Sequence, residues 1–161
     1  LGLPAADGGA PPTTSGVFGA LAAQGARAFV VSGGTLGGPP LAYAAYDLGT
    51  SAPAATGSLT PPGQGDPVGA DVASAGDRVF FAAEQPGSLS VMVYDHASTT
   101  PALRATVLLS DDPRIPSQQN ARDGRIAVAA SDSRVLVAWL TATSLGPDDP
   151  VGGYALFACS P

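Results

Sequence analysis

The side chains able to do chemistry are few and scattered along the chain. One histidine, His96, follows Asp95, and one cysteine, Cys159, lies close to the last residue. A Ser-His-Asp nucleophile requires an exposed elbow, and no G-x-S-x-G run occurs. Asp95 and His96 are adjacent in what reads as the end of a strand, so their side chains would point to opposite faces. One histidine and one cysteine far apart do not make a zinc set. Cys159 has no second cysteine to pair with and reads as a small apolar strand residue. The hard-oxygen candidates are Asp111-Asp112 and Asp148-Asp149, which could supply part of the six to eight ligands of a Ca²⁺ site. Neither pair sits in a D-x-D-x-D-G loop, and each precedes a proline, as turn aspartates do. Turn chemistry is therefore the preferred reading, with Ca²⁺ the weaker alternative. Hydrolysis by paired carboxylates would have to run on aspartates, because Glu84 is the only glutamate. No catalytic residue, cofactor or metal ligand is assigned.

Composition narrows the class further. All seven basic residues are arginine and twelve of the thirteen acids are aspartate, a bias that fits a GC-rich coding sequence. A net charge of −6, a pI near 4.3 and the lack of any cluster of basic residues in the sequence argue against nucleic-acid binding, which needs a basic patch. A hydrophobic fraction of 45% and a mean hydropathy of +0.20 fit a folded chain. The 21 glycines and 16 prolines demand frequent reversal and argue against long helices. No run approaches the ~18 apolar residues of a membrane span, and no basic leader precedes an apolar segment in these residues.

What positions these residues is a set of short strands between turn clusters, the pattern of an all-β protein. Arg125–Cys159 is the best formed: Arg125–Ala130, Arg134–Thr141 and Val151–Cys159, joined by a turn at Ser131–Ser133 and a Gly/Pro/Asp loop. Two earlier stretches repeat it. Val17–Ala23, Ala26–Ser32, Leu41–Asp47 and Ala55–Leu59 make the first. Val68–Ser74, Arg78–Ala83, Leu89–Asp95 and Arg104–Ser110 make the second, with Glu84–Ser88 as a loop. Arg27, Arg78 and Arg134 each open a second strand at intervals of 51 and 56 residues, with Phe29, Phe80 and Leu136 two places on. Tyr46, Tyr94 and Phe157 share one place in the third strand, and Tyr43 matches Tyr154. The tyrosines therefore read as packing residues. A period near 50 with four strands per unit is that of a propeller blade. Val79–Ala83 and Val135–Leu140 are apolar on both alternating faces, so both strands are expected to be covered on both sides. The chain then divides into 1–16, the end of a preceding unit or a closing strand with its loop; 17–67 and 68–124, two full units; and 125–161, a unit lacking its fourth strand.

The run GRIAVAASDSRVLVAWL, followed by a Gly/Asp loop and GGYALF, resembles a blade of the bacterial sialidase-like or WD40/YVTN-like β-propellers. The likeness covers the chain from Val17 onward as a repeat pattern. It lacks the sialidase S-x-D-x-G-x-x-W box and the Gly-His and Trp-Asp pairs of WD40 blades. What it implies is a β-propeller-like array of about three four-stranded antiparallel blades in a secreted or surface protein. Three units fall below the usual four to eight, so either the N-terminal strand closes a ring or, the preferred reading, these blades are a piece of a larger propeller. Antiparallel order puts the longest loops, Ser32–Pro40, Thr60–Pro67, Asp111–Gly124 and Thr141–Pro150, on one rim, where binding usually lies. The polar residues expected there are Asp66, Glu84, Asp111, Arg114, Gln119, Asn120, Arg122 and Asp149. The functional expectation is a non-catalytic module that binds or scaffolds, with a protein or carbohydrate ligand. The alternative is part of a propeller hydrolase, a sialidase-like glycosidase, or a lyase with catalytic residues partly outside these residues. Arginines spread over repeat positions would not converge as a sialidase cluster does, which favours the first.

Overall fold

A computed structural model describes residues 18–33, 41–50, 52–95, 101–112, 125–143 and 146–159. Over these the protein is all-β, with eleven strands in three antiparallel meanders. Sheet 1 contains β1 (Phe18–Gln24), β2 (Arg27–Gly33), β3 (Ala42–Asp47) and β4 (Pro53–Ser58). Sheet 2 contains β5 (Gly69–Ala75), β6 (Arg78–Gln85), β7 (Ser88–Asp95) and β8 (Ala102–Leu108), followed by a 3-10 turn at Leu109–Asp111. Sheet 3 contains β9 (Arg125–Ala130), β10 (Arg134–Thr143) and β11 (Gly146–Ala158). In every sheet the strands lie in chain order.

The hairpins close where the turn chemistry demands. Gly25 and Gly76 take φ of +59° and +58°, which a side chain would resist. They set the pairs Gln24↔Arg27 and Ala75↔Arg78. The third hairpin has no such glycine. There the Ser131 hydroxyl accepts the Arg134 N–H at 3.1 Å, and the Ser131 N–H donates to the Arg134 carbonyl at 2.8 Å.

Register confirms the repeat position by position. Arg27, Arg78 and Arg134 are the first residues of β2, β6 and β10. Tyr46, Tyr94 and Phe157 pair with Ala28, Val79 and Val135, the residues that follow those arginines. Each sheet therefore has a front, carrying Phe29, Phe80 or Leu136, and a back, carrying Ala28, Val79 or Val135.

Two hydrophobic cores hold the sheets together, and both join a front to a back. The first puts Phe29 and Val31 of sheet 1 against Val79, Phe81, Ala83 and Met92 of sheet 2. Phe81 meets Tyr94 edge-on at 5.4 Å and Tyr43 from sheet 1 at 6.2 Å. Burying such a side chain contributes about 1.5–3 kcal/mol, and each aromatic pair roughly 0.5–1.5 more. The second core puts Phe80, Ala82 and Val91 of sheet 2 against Val135, Val137 and Trp139 of sheet 3. The closest approaches between sheets run β1 to β5 and β5 to β9, then β2 to β5 and β6 to β9. The sheets thus converge at their first strands. Between β5 and β9 a carboxylate joins them directly, Asp71 Oδ2 accepting the Val128 N–H at 2.8 Å.

Several expectations change. The two-sided apolar pattern of Val79–Ala83 does lie between sheets, with all five residues buried. The same pattern in Val135–Leu140 does not. Its back is buried, but Leu136 on the front is 40% exposed, because no described residue packs a second sheet there. Glu84–Ser88 is not a loop: β6 runs to Gln85, β7 starts at Ser88, and Pro86-Gly87 is the whole turn. Nor is Thr141–Pro150 a loop, since β10 continues to Thr143 and β11 begins at Gly146, with a register shift between Ala142 and Thr143. Pro147 and Pro150 are compatible with β11 because it is an edge strand, one side of whose backbone has no ladder to lose. Tyr43 and Tyr94 pack as expected, whereas Tyr154 is 76% exposed. Leu1–Gly16 and His96 lie outside the described residues.

Candidate functional site

Strand direction sorts the expected polar residues onto one rim. The C-terminal ends of β6 and β10, the N-terminal ends of β7 and β11 and the C-terminal end of β8 all lie at that rim, as the pairs Gln85↔Ser88 and Ser90↔Leu108 require. The turns at Gly25 and Gly76 lie at the opposite one. A clasp at this rim orders the loop between sheets 1 and 2. Gln85, buried at the end of β6, accepts the Gly63 N–H at 2.9 Å through Oε1. Its amide Nε2 donates to the Gly65 carbonyl at 2.8 Å. The Val68 N–H donates to the Glu84 carbonyl at 2.8 Å and completes the attachment. A Cβ at residue 63 would come within 2.4 Å of Gln85 Oε1 and of Ser88 Oγ, so the clasp admits only glycine there.

This arrangement holds Asp66 out in solvent, one residue beyond the clasped segment. Asp111 is also exposed, at the end of the 3-10 turn that follows β8. Glu84 is at the same end of the sheet but is fully buried, on the front of β6, and presents no carboxylate to solvent. Asp149 lies within β11 near the same rim. Arg114, Gln119, Asn120 and Arg122 lie outside the described residues. Among the described residues no three of His, Cys, Asp and Glu gather as a metal-binding group, and no described helix is long and apolar enough to cross a membrane.

A second feature was not visible in the sequence. Between the front of sheet 2 and the back of sheet 3, on the side where the sheets diverge, a cleft of about 530 Å³ opens. Phe80, Val91, Val93 and Val107 form one wall, and Val135, Phe157 and Cys159 the other. Toward the long-loop rim it continues into a space of about 440 Å³ bounded by Leu109, Trp139, Tyr154 and Phe157. Both lie within the volume range of ligand sites. They follow the open edge of β11, where sheets 1 and 2 each carry a fourth strand.

The charges at the other mouth of the cleft are matched. Arg104 donates to Asp95 Oδ2 through both Nε, at 3.1 Å, and Nη2. Arg78 lies 3.8 Å from Asp77. In sheet 1 the corresponding arginine pairs across strands instead, Arg27 to Asp47 at 3.4 Å. In sheet 3 the cross-strand partner of Arg134 is Ala158, so the acid of this repeat position is missing. The Tyr94 phenol, on the back of sheet 2, is pushed above its ordinary pKa by burial, with the Tyr43 phenol adding to the effect.

Sequence reasoning did not single out Gln85, Asp71 or Asp95 with Arg104. Gln85 stood in a supposed loop. Asp71 has alanine at its repeat equivalents, Ala20 and Ala127, so no periodic signal marked it. Compared with known proteins, the chain matches no family model and no curated protein.

Proposed function

We propose that the chain is a non-catalytic propeller-type module that binds or scaffolds, its three sheets being three blades of a larger array in a secreted or surface bacterial protein. The observation that carries this reading is the stacking rule. Sheets 1 and 2 each pack their front on the back of the next, and the first strands are the ones that converge, as blades do around an axis. The ligand surface is the long-loop rim, where the Gln85 clasp fixes a loop on a rigid scaffold and Asp66 and Asp111 face solvent. An acidic, partly polar rim of this kind suits hydrogen bonding to carbohydrate hydroxyls or to a basic protein surface. The charged groups beside the cleft are ion-paired and stand at the opposite rim.

The test is a glycan-array and protein-binding screen run beside a panel of fluorogenic glycosides, sialosides included. Binding without turnover, weakened by Asp66→Ala or Asp111→Ala, is the expected result. Turnover that either substitution abolishes would replace this reading with the propeller hydrolase. Both side chains are exposed, so neither substitution should disturb folding.

A further inference from the structure

Among the described residues the same face-to-face rule is used twice, and it leaves one front and one back uncovered. The front of sheet 3 presents Leu136, Leu140, Tyr154 and Leu156, with Tyr154 76% and Leu156 55% exposed. In sheets 1 and 2 the equivalents of Leu136 and Tyr154 are packed: Phe29 and Phe80 at the Leu136 position are both buried, and Tyr43 at the Tyr154 position stacks near Phe81. The back of sheet 1 presents Leu21, 65% exposed, beside Val30 and Tyr46. Tyr46 holds the place that Tyr94 and Phe157 fill when a back is covered. Among the residues whose side chains are described, neither face carries an acid at a strand position. Each is the half of a junction whose other half the same chain also carries.

We infer that a second copy of this chain docks its sheet 1 back on the sheet 3 front, and receives the reciprocal contact. This rests on reading the three sheets as blades stacked by one rule. Contacts of this head-to-tail kind close into rings when the rotation allows. Two copies joined at both junctions give six sheets, within the usual four to eight of a propeller. The partner follows from continuity with the two junctions already in the chain. Leu156 and Tyr154 fill the role that Val93 and Val91 play at the junction of sheets 2 and 3.

The test is sedimentation of the 161-residue chain across the micromolar range, with single substitutions on each face. Leu156→Asp charges the open front and Leu21→Asp the open back. Both side chains are exposed, and circular dichroism with Trp139 emission verifies that the three sheets remain. The wild type is expected to be a dimer, and each variant alone a monomer, with the dissociation constant raised at least about tenfold. Mixing the two variants leaves one intact junction, so a one-to-one heterodimer should form. Three results would each overturn the inference: a monomeric wild type, a dimer lost on Leu156→Asp but kept on Leu21→Asp, or a mixture that stays monomeric. The second is the signature of an isologous contact through sheet 3 or the β11 edge. A monomer with native Trp139 emission would refute the docking alone and leave the module reading standing.

Discussion

Gly153→Ala isolates the packing on which sheet 3 depends. Gly153 is the cross-strand partner of Trp139, and the indole lies over it. A Cβ at residue 153 would fall 2.5 Å from the ring, where real contacts do not occur. Trp139 is almost fully buried in the core shared by sheets 2 and 3, so the ring cannot swing clear without opening that core. Overpacking of this kind costs about 1–3 kcal/mol. Replacing a strand glycine by alanine recovers roughly 0.5–1 kcal/mol of backbone entropy, so a net loss of up to about 2.5 kcal/mol, roughly 1 at mid-range, remains. Gly152→Ala is the internal control. Its Cβ would point to the open front and meet Leu140 Cδ2 at 3.1 Å, the movable end of a partly exposed side chain. That substitution should be neutral or slightly stabilising. Trp139 is the only tryptophan, so urea unfolding followed by its emission reads the site directly. The expected result is a lower midpoint and a red-shifted native emission for Gly153→Ala alone. Equal midpoints and unshifted emission in both variants would refute the argument that the ring occupies the glycine's space.

Three further outcomes follow from other contacts. Asp71→Ala removes the charged acceptor of the Val128 N–H and should cost roughly 1.5–3 kcal/mol, with Asp71→Asn retaining part of it; chemical denaturation checks both. Gln85→Ala opens the clasp on the Gly63–Gly65 segment, losing two bonds of about 0.5–1.5 kcal/mol each, and should accelerate amide exchange at Gly63 while sheet 3 amides keep their protection. The raised pKa of Tyr94 means that its stabilising contribution is complete below the unfolded phenol value of about 10 and is lost as pH climbs through the higher folded value. Stability should therefore fall on the alkaline side, and Tyr94→Phe should reduce that fall in urea titrations at several pH values.

Strand positions were legible because alternation, turn glycines and the repeated arginine all speak locally and agree. The pairing of Tyr46, Tyr94 and Phe157 with the residue after each arginine is one example. Coverage was not legible, because it depends on a neighbour elsewhere in the chain. Val79–Ala83 and Val135–Leu140 carry the same apolar pattern, yet only the first has a sheet on each side. Glu84 shows the same gap at a single residue. A lone acid at the end of an apolar run looks like the start of a loop, but Pro86-Gly87 makes so short a turn that the strand carries Glu84 inside. The cleft left no trace in the sequence because it is a property of diverging sheets, not of any segment. On the rim, Asp66 and Asp111 were readable as exposed turn acids, while the Gln85 clasp that orders the nearby loop spans 20 or more residues.

The front-to-back junctions also set how the molecule comes apart. Each sheet is a meander whose ladders form between neighbours in sequence, so its own closure costs little loop entropy. Sheet 2 carries both junctions, whereas sheets 1 and 3 each enter only one of the two hydrophobic cores. The arrangement is a short one-dimensional chain of units, with stability shared between each unit and its interfaces. Opening should begin at the ends, and amide protection should be highest along β6. Capping a terminal sheet, by any partner, would then raise the cooperativity of the whole stack.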